Sequence, residues 1–359
     1  MQVDIKKLDS LINAQYLSLT GTGELEQLSK LFEPRFLAEL LNVLTENLSN
    51  SRQFQQKLEI AVCWIDKRPL ADFSKQKVVD HNGHIVTKKV EVGDAAFVFS
   101  NEFCYLKGGK EVSQRQYSSS LIFQAKRSGK KDIPHIPIGI GKSQNVSTAK
   151  ELALLSEWPT FDLFKASRSK KALHSNLKIT KSGGSKLSYG WFGACPPGKK
   201  SDWKSRWMCA PANNGQKCSF SLGEVLEALI NKTQLSHVNV GEEFQLITDW
   251  ENYANKGSLH SWDILNNEIL SQCRKSKLPK SIFNSEKSRI VRAHKYVWLD
   301  EEFRLAIVEP QSVIDFDDEA STKAVRYITG ADNTDSQPLQ LINKMHFPVL
   351  MISLKSIEG

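Results

Sequence analysis

A chain of 359 residues is long enough to bury one large core or two modest ones. With 40% hydrophobic and 25% charged residues it has the composition of a globular protein, and no stretch nears the roughly 20 apolar residues that a membrane-spanning helix needs. The net charge of +8 suits a polyanionic partner.

The first residues, up to Lys7, hold no apolar signal core. The cysteines (Cys63, Cys104, Cys195, Cys209, Cys218 and Cys273) are spread out, with no dense disulfide pattern and no paired Cys-x2-Cys knuckle for zinc. Free thiols in a reducing cytoplasm are the expectation.

Residues 1–50 read as helical. Ile5, Leu8, Leu11 and Ile12 recur at helical spacing, Gly21 and Gly23 interrupt, and residues 24–32 make a second short helix. Pro34 suits the first position of a third. That helix, residues 34–48, carries Phe36, Leu37, Leu40, Leu41, Leu44 and Leu48, a stripe wide enough to pack on a sheet. Its Glu39 and Glu46 read as solvated. Residues 58–65 form an apolar strand with Glu59 at its mouth. Residues 66–92 are polar, and His81 and His84 within them suit a solvated loop.

The most informative stretch is residues 93–127. Two short apolar runs, 94–100 and 119–126, flank Gly108 and Gly109, a pair that accepts positive φ at both turn positions. This predicts a β-hairpin. A turn at those glycines sets Asp94 opposite Phe123 and beside Gln124, and a one-residue bulge in the polar stretch 111–116 would shift the pairing. Gln124 and Lys126, two apart, share one face. An acid, an amide and an ammonium therefore come together. Asp94 suits a hard divalent cation such as Mg2+ or Mn2+, and the Gln124 side-chain carbonyl or the Ala125 backbone carbonyl can add a neutral oxygen. Lys126 is placed to orient water and offset charge on a phosphoryl group. A second acid is needed to complete the metal site, and Glu59 is preferred to Glu91. The plain alternative is a strand pair with solvated ends: a chain this long holds about one Gln-x-Lys by chance, and Gln55-Gln56-Lys57 is a second copy.

Downstream, Arg127, Lys130 and Lys131 abut the proposed site and are assigned to nucleic-acid phosphates. Residues 139–142 lack the Walker spacing, which argues against an ATPase. Residues 147–156 predict a helix capped by Ser147. A basic, Ser/Gly-rich loop at 167–186 leads to a strand at 187–193. Trp203, Lys204, Arg206 and Trp207 interleave aromatics with cations, which suits either base stacking or a core edge. Residues 220–230 form an amphipathic helix, 249–253 and 262–275 are further helical patterns, 277–292 are basic, and 347–354 are a buried apolar strand.

Asp94 followed by Phe123-Gln124-Ala125-Lys126-Arg127 resembles the Mrr-like branch of the PD-(D/E)xK nuclease superfamily, in which Gln often replaces the acid before x-Lys. The resemblance covers residues 34–193. It implies an α/β restriction-endonuclease-like αβββαβ core with a mixed central sheet and helical N- and C-terminal additions. The expected organisation is a helical segment at 1–50, a catalytic domain at 51–235 and an extension at 236–359. The activity implied is Mg2+- or Mn2+-dependent cleavage of DNA, in preference to RNA, in restriction or anti-phage defence, with other defence-system subunits as partners. Asp94, Gln124 and Lys126 would be catalytic, and Asp94, Gln124 and Glu59 would hold the metal. The alternative is an inactive nucleic-acid-binding or scaffold subunit.

Overall fold

The computed structural model describes residues 1, 3–16, 23–32, 34–46, 48, 54–65, 69–138, 147–180, 185–198, 201–212, 217–275, 296–299, 305–309, 312–313 and 347–358. The interruption read at Gly21, the segment 139–142 and the basic run 277–292 lie outside them.

Three helices lead the chain. The first, α1 (Ile5–Ala14), starts where the Asp4 carboxylate accepts from the Lys7 amide at 3.1 Å. The second, α2 (Glu24–Ser29), runs into a 3-10 turn at Lys30–Phe32, and α3 (Pro34–Thr45) buries Phe36, Leu37, Leu40, Leu41 and Leu44. Then follow β1 (Phe54–Ile65), β2 (Leu70–Asp72), β3 (Val90–Glu91), β4 (Ala95–Lys107), β5 (Lys110–Arg127), α4 (Ser147–Glu157), β6 (Phe161–Phe164) and β7 (His174–Leu177). The remaining elements are β8 (Gly190–Cys195), β9 (Met208–Pro211), β10 (Phe220–Ser221), α5 (Leu222–Asn231), β11 (Gln234–Leu235), β12 (Val238–Asn239), β13 (Glu242–Phe244), α6 (Ser261–Lys275), β14 (Tyr296–Leu299), β15 (Leu305–Glu309), β16 (Ser312–Val313) and β17 (Phe347–Glu358).

The chain is α/β with a mixed central sheet in the order β10-β9-β8-β5-β4-β17-β1-β14-β15-β16, and β13 pairs with β5. Strands β4 and β17 are parallel, as are β5 and β8; the other pairs are antiparallel. A smaller sheet runs β3-β2-β6-β7. Alternation along β4 divides the core. Ala95, Phe97 and Phe99 pack with α1, α3 and α5 on one side, while Ala96 and Val98 pack with α4 and α6 on the other. α5 is closed at its start by a capping box between Ser221 and Glu224.

The predicted hairpin turns at Gly108 and Gly109, with φ of 60° and 76°. Both strands run further than their apolar runs suggest, because the mostly polar residues 105–116 continue the ladder as a largely exposed ribbon beyond Cys104. Within that ribbon Cys104 pairs with Ser113 but Phe103 pairs with Arg115, so Gln114 is an extra residue. This bulge decides the site. Residues directly opposite in an antiparallel pair point to the same face. Without the bulge, Asp94 would share the face of Phe123, away from Gln124 and Lys126. With it, Ala95 faces Phe123, and Asp94 comes to the face of Gln124 and Lys126.

Three expectations are corrected. Residues 249–253 are turns, not helix, the loop read at 167–186 contains β7, and the strand read at 187–193 begins only at Gly190, after a 3-10 turn at Lys186–Ser188. The apolar strand expected near the C-terminus is present as β17, and it lies between β1 and β4. The central sheet therefore draws strands from both sides of the boundary placed near residue 235. Cys104, Cys195, Cys209, Cys218 and Cys273 are free and buried. Among the described residues no helix is long and apolar enough to cross a membrane.

Candidate functional site

The last turn of backbone before β4 has room for nothing larger than glycine at 93. A Cβ there would meet the Ile122 Cγ2 at 2.4 Å and the Phe123 carbonyl at 3.1 Å. This close approach lets the Asp94 amide donate to the Phe123 carbonyl at 2.9 Å, and the Asp94 carboxylate in turn accepts from the Ala125 amide at 3.0 Å and from the Gln124 side-chain nitrogen. Asp94 is 2% exposed and Gln124 is fully buried. The amide nitrogen must face the carboxylate, since the opposite orientation would set two oxygens together. That leaves Gln124 Oε1 buried with no hydrogen-bond partner.

Lys126 lies two residues further along the same face. Its Nζ is 2.7 Å from Glu151 Oε2 on α4 and 4.0 Å from Glu24 Oε1 at the start of α2. Both Lys126 and Glu151 are buried. Glu24 is held in turn by the Arg127 amide, which donates to its Oε2 at 3.1 Å. Burial disfavours the Lys126 ammonium, but the carboxylates of Glu151, Asp94 and Glu24 outweigh it and hold the pKa above 10.5. Burial also pushes the Glu151 carboxyl up from 4.5, against the pull of Lys126. Lys126 is therefore charged at neutral pH.

These groups open on a cavity of about 200 Å³ lined by Glu24, Lys89, Val90, Glu91, Asp94, Lys126, Ser147, Lys150 and Glu151. Four carboxylates meet three ammonium groups there. The donor oxygens are hard and anionic, the class that Mg2+ and Mn2+ take, and Mg2+ commonly keeps several waters beside one or two carboxylates. No group of three or more His, Cys, Asp or Glu among the described residues is gathered tightly enough to hold a metal as it stands. The carboxylates of Asp94 and Glu91, which line the cavity, fit such an ion in chemistry as an open, partly hydrated site, and Gln124 Oε1 is a buried, unpartnered oxygen beside it.

Comparison of the chain with protein-family models, with curated proteins and with solved structures found no match.

Of the residues predicted from sequence, Asp94, Gln124 and Lys126 are brought together. Gln124 meets Asp94 through its nitrogen, and it is not one of the residues that line the cavity. Glu59 does not join them. It pairs across β17 through Ser353 to Ser100, two strands from β4 and six residues from Asp94, about 20 Å along the strand. Glu91, the other acid weighed for that place, lines the cavity; Glu39, on α3, does not. Arg127, Lys130 and Lys131 are exposed at the rim, in and after the last residue of β5. Arg206 and Trp207 belong to a core edge. Both are buried, and Arg206 donates to Gln27 Oε1 at 2.9 Å and to the Gly198 carbonyl at 2.6 Å.

Sequence reasoning missed Glu24, Lys89, Lys150 and Glu151. For Glu151 a signal was present: it falls in the buried stripe Thr148, Glu151, Leu152, Leu155 of α4, where a carboxylate needs a partner. Glu24 carried none, because only the fold brings the start of α2 to the end of β5.

Proposed function

We propose that the chain is a metal-dependent nuclease that hydrolyses nucleic-acid phosphodiester bonds, DNA in preference to RNA, in restriction or anti-phage defence. The observation that carries this reading is a buried, charged Lys126 sharing one cavity with Asp94 at the rim of the sheet. Glu151 at 2.7 Å holds this ammonium in place, and Asp94 on the same cavity supplies an anionic oxygen for a cation. With the small-sheet strands β2, β3, β6 and β7 set aside, the order α3, β1, β4, β5, α4, β8 supports the resemblance to the PD-(D/E)xK superfamily, whose core runs helix, three strands, helix, strand; here β17 is added between β1 and β4.

Asp94 and Glu91, with the carbonyl of Gln124 or Ala125, are the residues that would hold Mg2+ or Mn2+, which when bound lowers the pKa of a water and polarises a phosphoryl oxygen. Lys126 is charged and so cannot act as the base. It offsets the negative charge that grows on the phosphoryl oxygens as water oxygen adds and the bond to the leaving oxygen breaks. Glu151 fixes the position of its Nζ. The carboxylate of Glu24 lines the cavity and is the acceptor for the proton that the attacking water loses. Arg127, Lys130 and Lys131 hold flanking phosphates.

The test is nicking of supercoiled plasmid by the wild type, Asp94→Ala and Lys126→Met, with Mg2+ and with EDTA. Nicking is expected with Mg2+ alone, reduced roughly 100-fold or more in each variant. Nicking by Lys126→Met at the wild-type rate rejects the site. Plating of phage on cells with and without the protein tests the defence role.

One observation favours a second reading. Gln124 stands where an acid would complete the metal site, and its nitrogen already occupies Asp94. A nucleic-acid-binding or scaffold subunit without activity would show duplex binding, or co-purification with partner subunits, and no Mg2+-dependent nicking.

A further inference from the structure

The turn between β6 and β7 carries Lys165, Arg168, Lys170 and Lys171 within seven residues and contains no acid. All four cations are exposed, and none makes an ion pair with any described residue. Several surface cations elsewhere find acids, as Lys7 does with Glu46, Lys204 with Glu224 and Lys355 with Glu111. Concentrated like charges repel one another, and a polyanion relieves that repulsion.

The loop has a defined seat. Ser169 N donates to the Ala166 carbonyl at 3.0 Å, and Leu173 N to the Leu163 carbonyl at 2.7 Å. Lys89 Nζ donates to the carbonyls of Ser169 at 2.8 Å and Ser167 at 3.4 Å, and lies 3.5 Å over the Phe164 ring. Lys89 also lines the acidic cavity. One side chain thus ties the basic loop to the candidate site, and exposed Lys88 is its neighbour in the chain. A second group of exposed cations, Arg127, Lys130 and Lys131, is tied to the cavity by a different route, through the Arg127 amide on Glu24. The Lys131 carbonyl is fixed by Trp203 Nε1 at 2.7 Å.

We propose that residues 165–171, with Lys88, form the second half of a duplex-DNA clamp whose first half is Arg127, Lys130 and Lys131. A single strand follows one groove. Two separate cationic banks, each joined to the same cavity through one lining residue, Lys89 or Glu24, suit the two backbones of a duplex. The inference rests on the nuclease reading above and adds the form of the substrate and the surface that grips it.

The experiment measures binding of a short DNA duplex in EDTA by fluorescence anisotropy over a salt series, for wild type and Arg168→Ala/Lys170→Ala/Lys171→Ala, alongside Mg2+-dependent nicking. Each lost phosphate contact makes the slope of log K against log salt shallower by about 0.9, so the triple variant is expected to lose about 2 to 3 from the slope. An unchanged slope and affinity, with nicking intact in the wild type, overturns the clamp and leaves the nuclease reading standing. A wild type that neither binds nor nicks DNA removes both. A slope change seen only with single-stranded DNA or with duplex RNA rejects the duplex-DNA assignment. An unchanged thermal midpoint of the variant shows that the fold is intact.

Discussion

Lys126 and Glu151 are each other's reason for being buried. An ammonium or a carboxylate removed from water alone is far costlier than the pair at 2.7 Å. Lys126→Met should therefore cost about 3–5 kcal/mol of stability, because it strands Glu151. The double variant Lys126→Met/Glu151→Leu should recover most of that loss in urea unfolding while remaining inactive in plasmid nicking. If the double variant is no more stable than the single one, the pair is not the unit inferred here. Asp94 has a parallel role. Its carboxylate closes the end of β5 through the Ala125 amide as well as facing the cavity, so its removal touches local structure and chemistry together.

Among the elements, α6 is held to the small sheet by a carboxylate rather than by apolar packing alone. Glu268 Oε2 is 2.8 Å from His174 Nε2 on β7 and accepts from Trp250 Nε1 at 3.2 Å, while Oε1 accepts from Gln272 at 2.5 Å. Burial alone would raise this carboxyl, but the hydrogen bonds of His174, Gln272 and Trp250 outweigh it and lower the pKa from 4.5 to about 2. A pKa lowered by folding stabilises the charged, folded form. The contribution, about 3 kcal/mol, is complete well above pH 4.5 and is lost as pH falls through about 2. Urea unfolding between pH 6 and pH 2 should show wild-type stability falling more steeply with acid than that of Glu268→Gln. Parallel curves would mean that Glu268 titrates alike in the folded and unfolded chains.

In the molecule as a whole, the central sheet is closed by its last strand. β17 pairs with β1 along all twelve of its residues and with β4 along ten, so it fills the middle of the sheet from the far end of the chain. Its buried Val349, Leu350, Ile352 and Leu354 contribute to both faces of the core. Deleting residues 347–358 should unfold the sheet, hairpin included, and not merely trim an end. A truncated chain with wild-type near-ultraviolet circular dichroism and thermal midpoint would contradict this. The same topology predicts that a fragment ending near residue 235 does not fold by itself.

The sequence alone determined what depends on neighbours along the chain. The helical stripes of α1 and α3, the Gly108-Gly109 turn, and the shared face of Gln124 and Lys126 follow from periodicity and φ preference, which are local. It also indicated a bulge in the right stretch of the ribbon. Only the tertiary structure decided that Gln114 is the inserted residue, and hence that Asp94 turns to the face of Lys126. Only it brought Glu24 and Glu151 to the ammonium and carried Glu59 away from it, and only it seated β17 between β1 and β4. Those outcomes depend on strand order and helix placement. Burial of the whole core sets that order, and no short window of residues contains it.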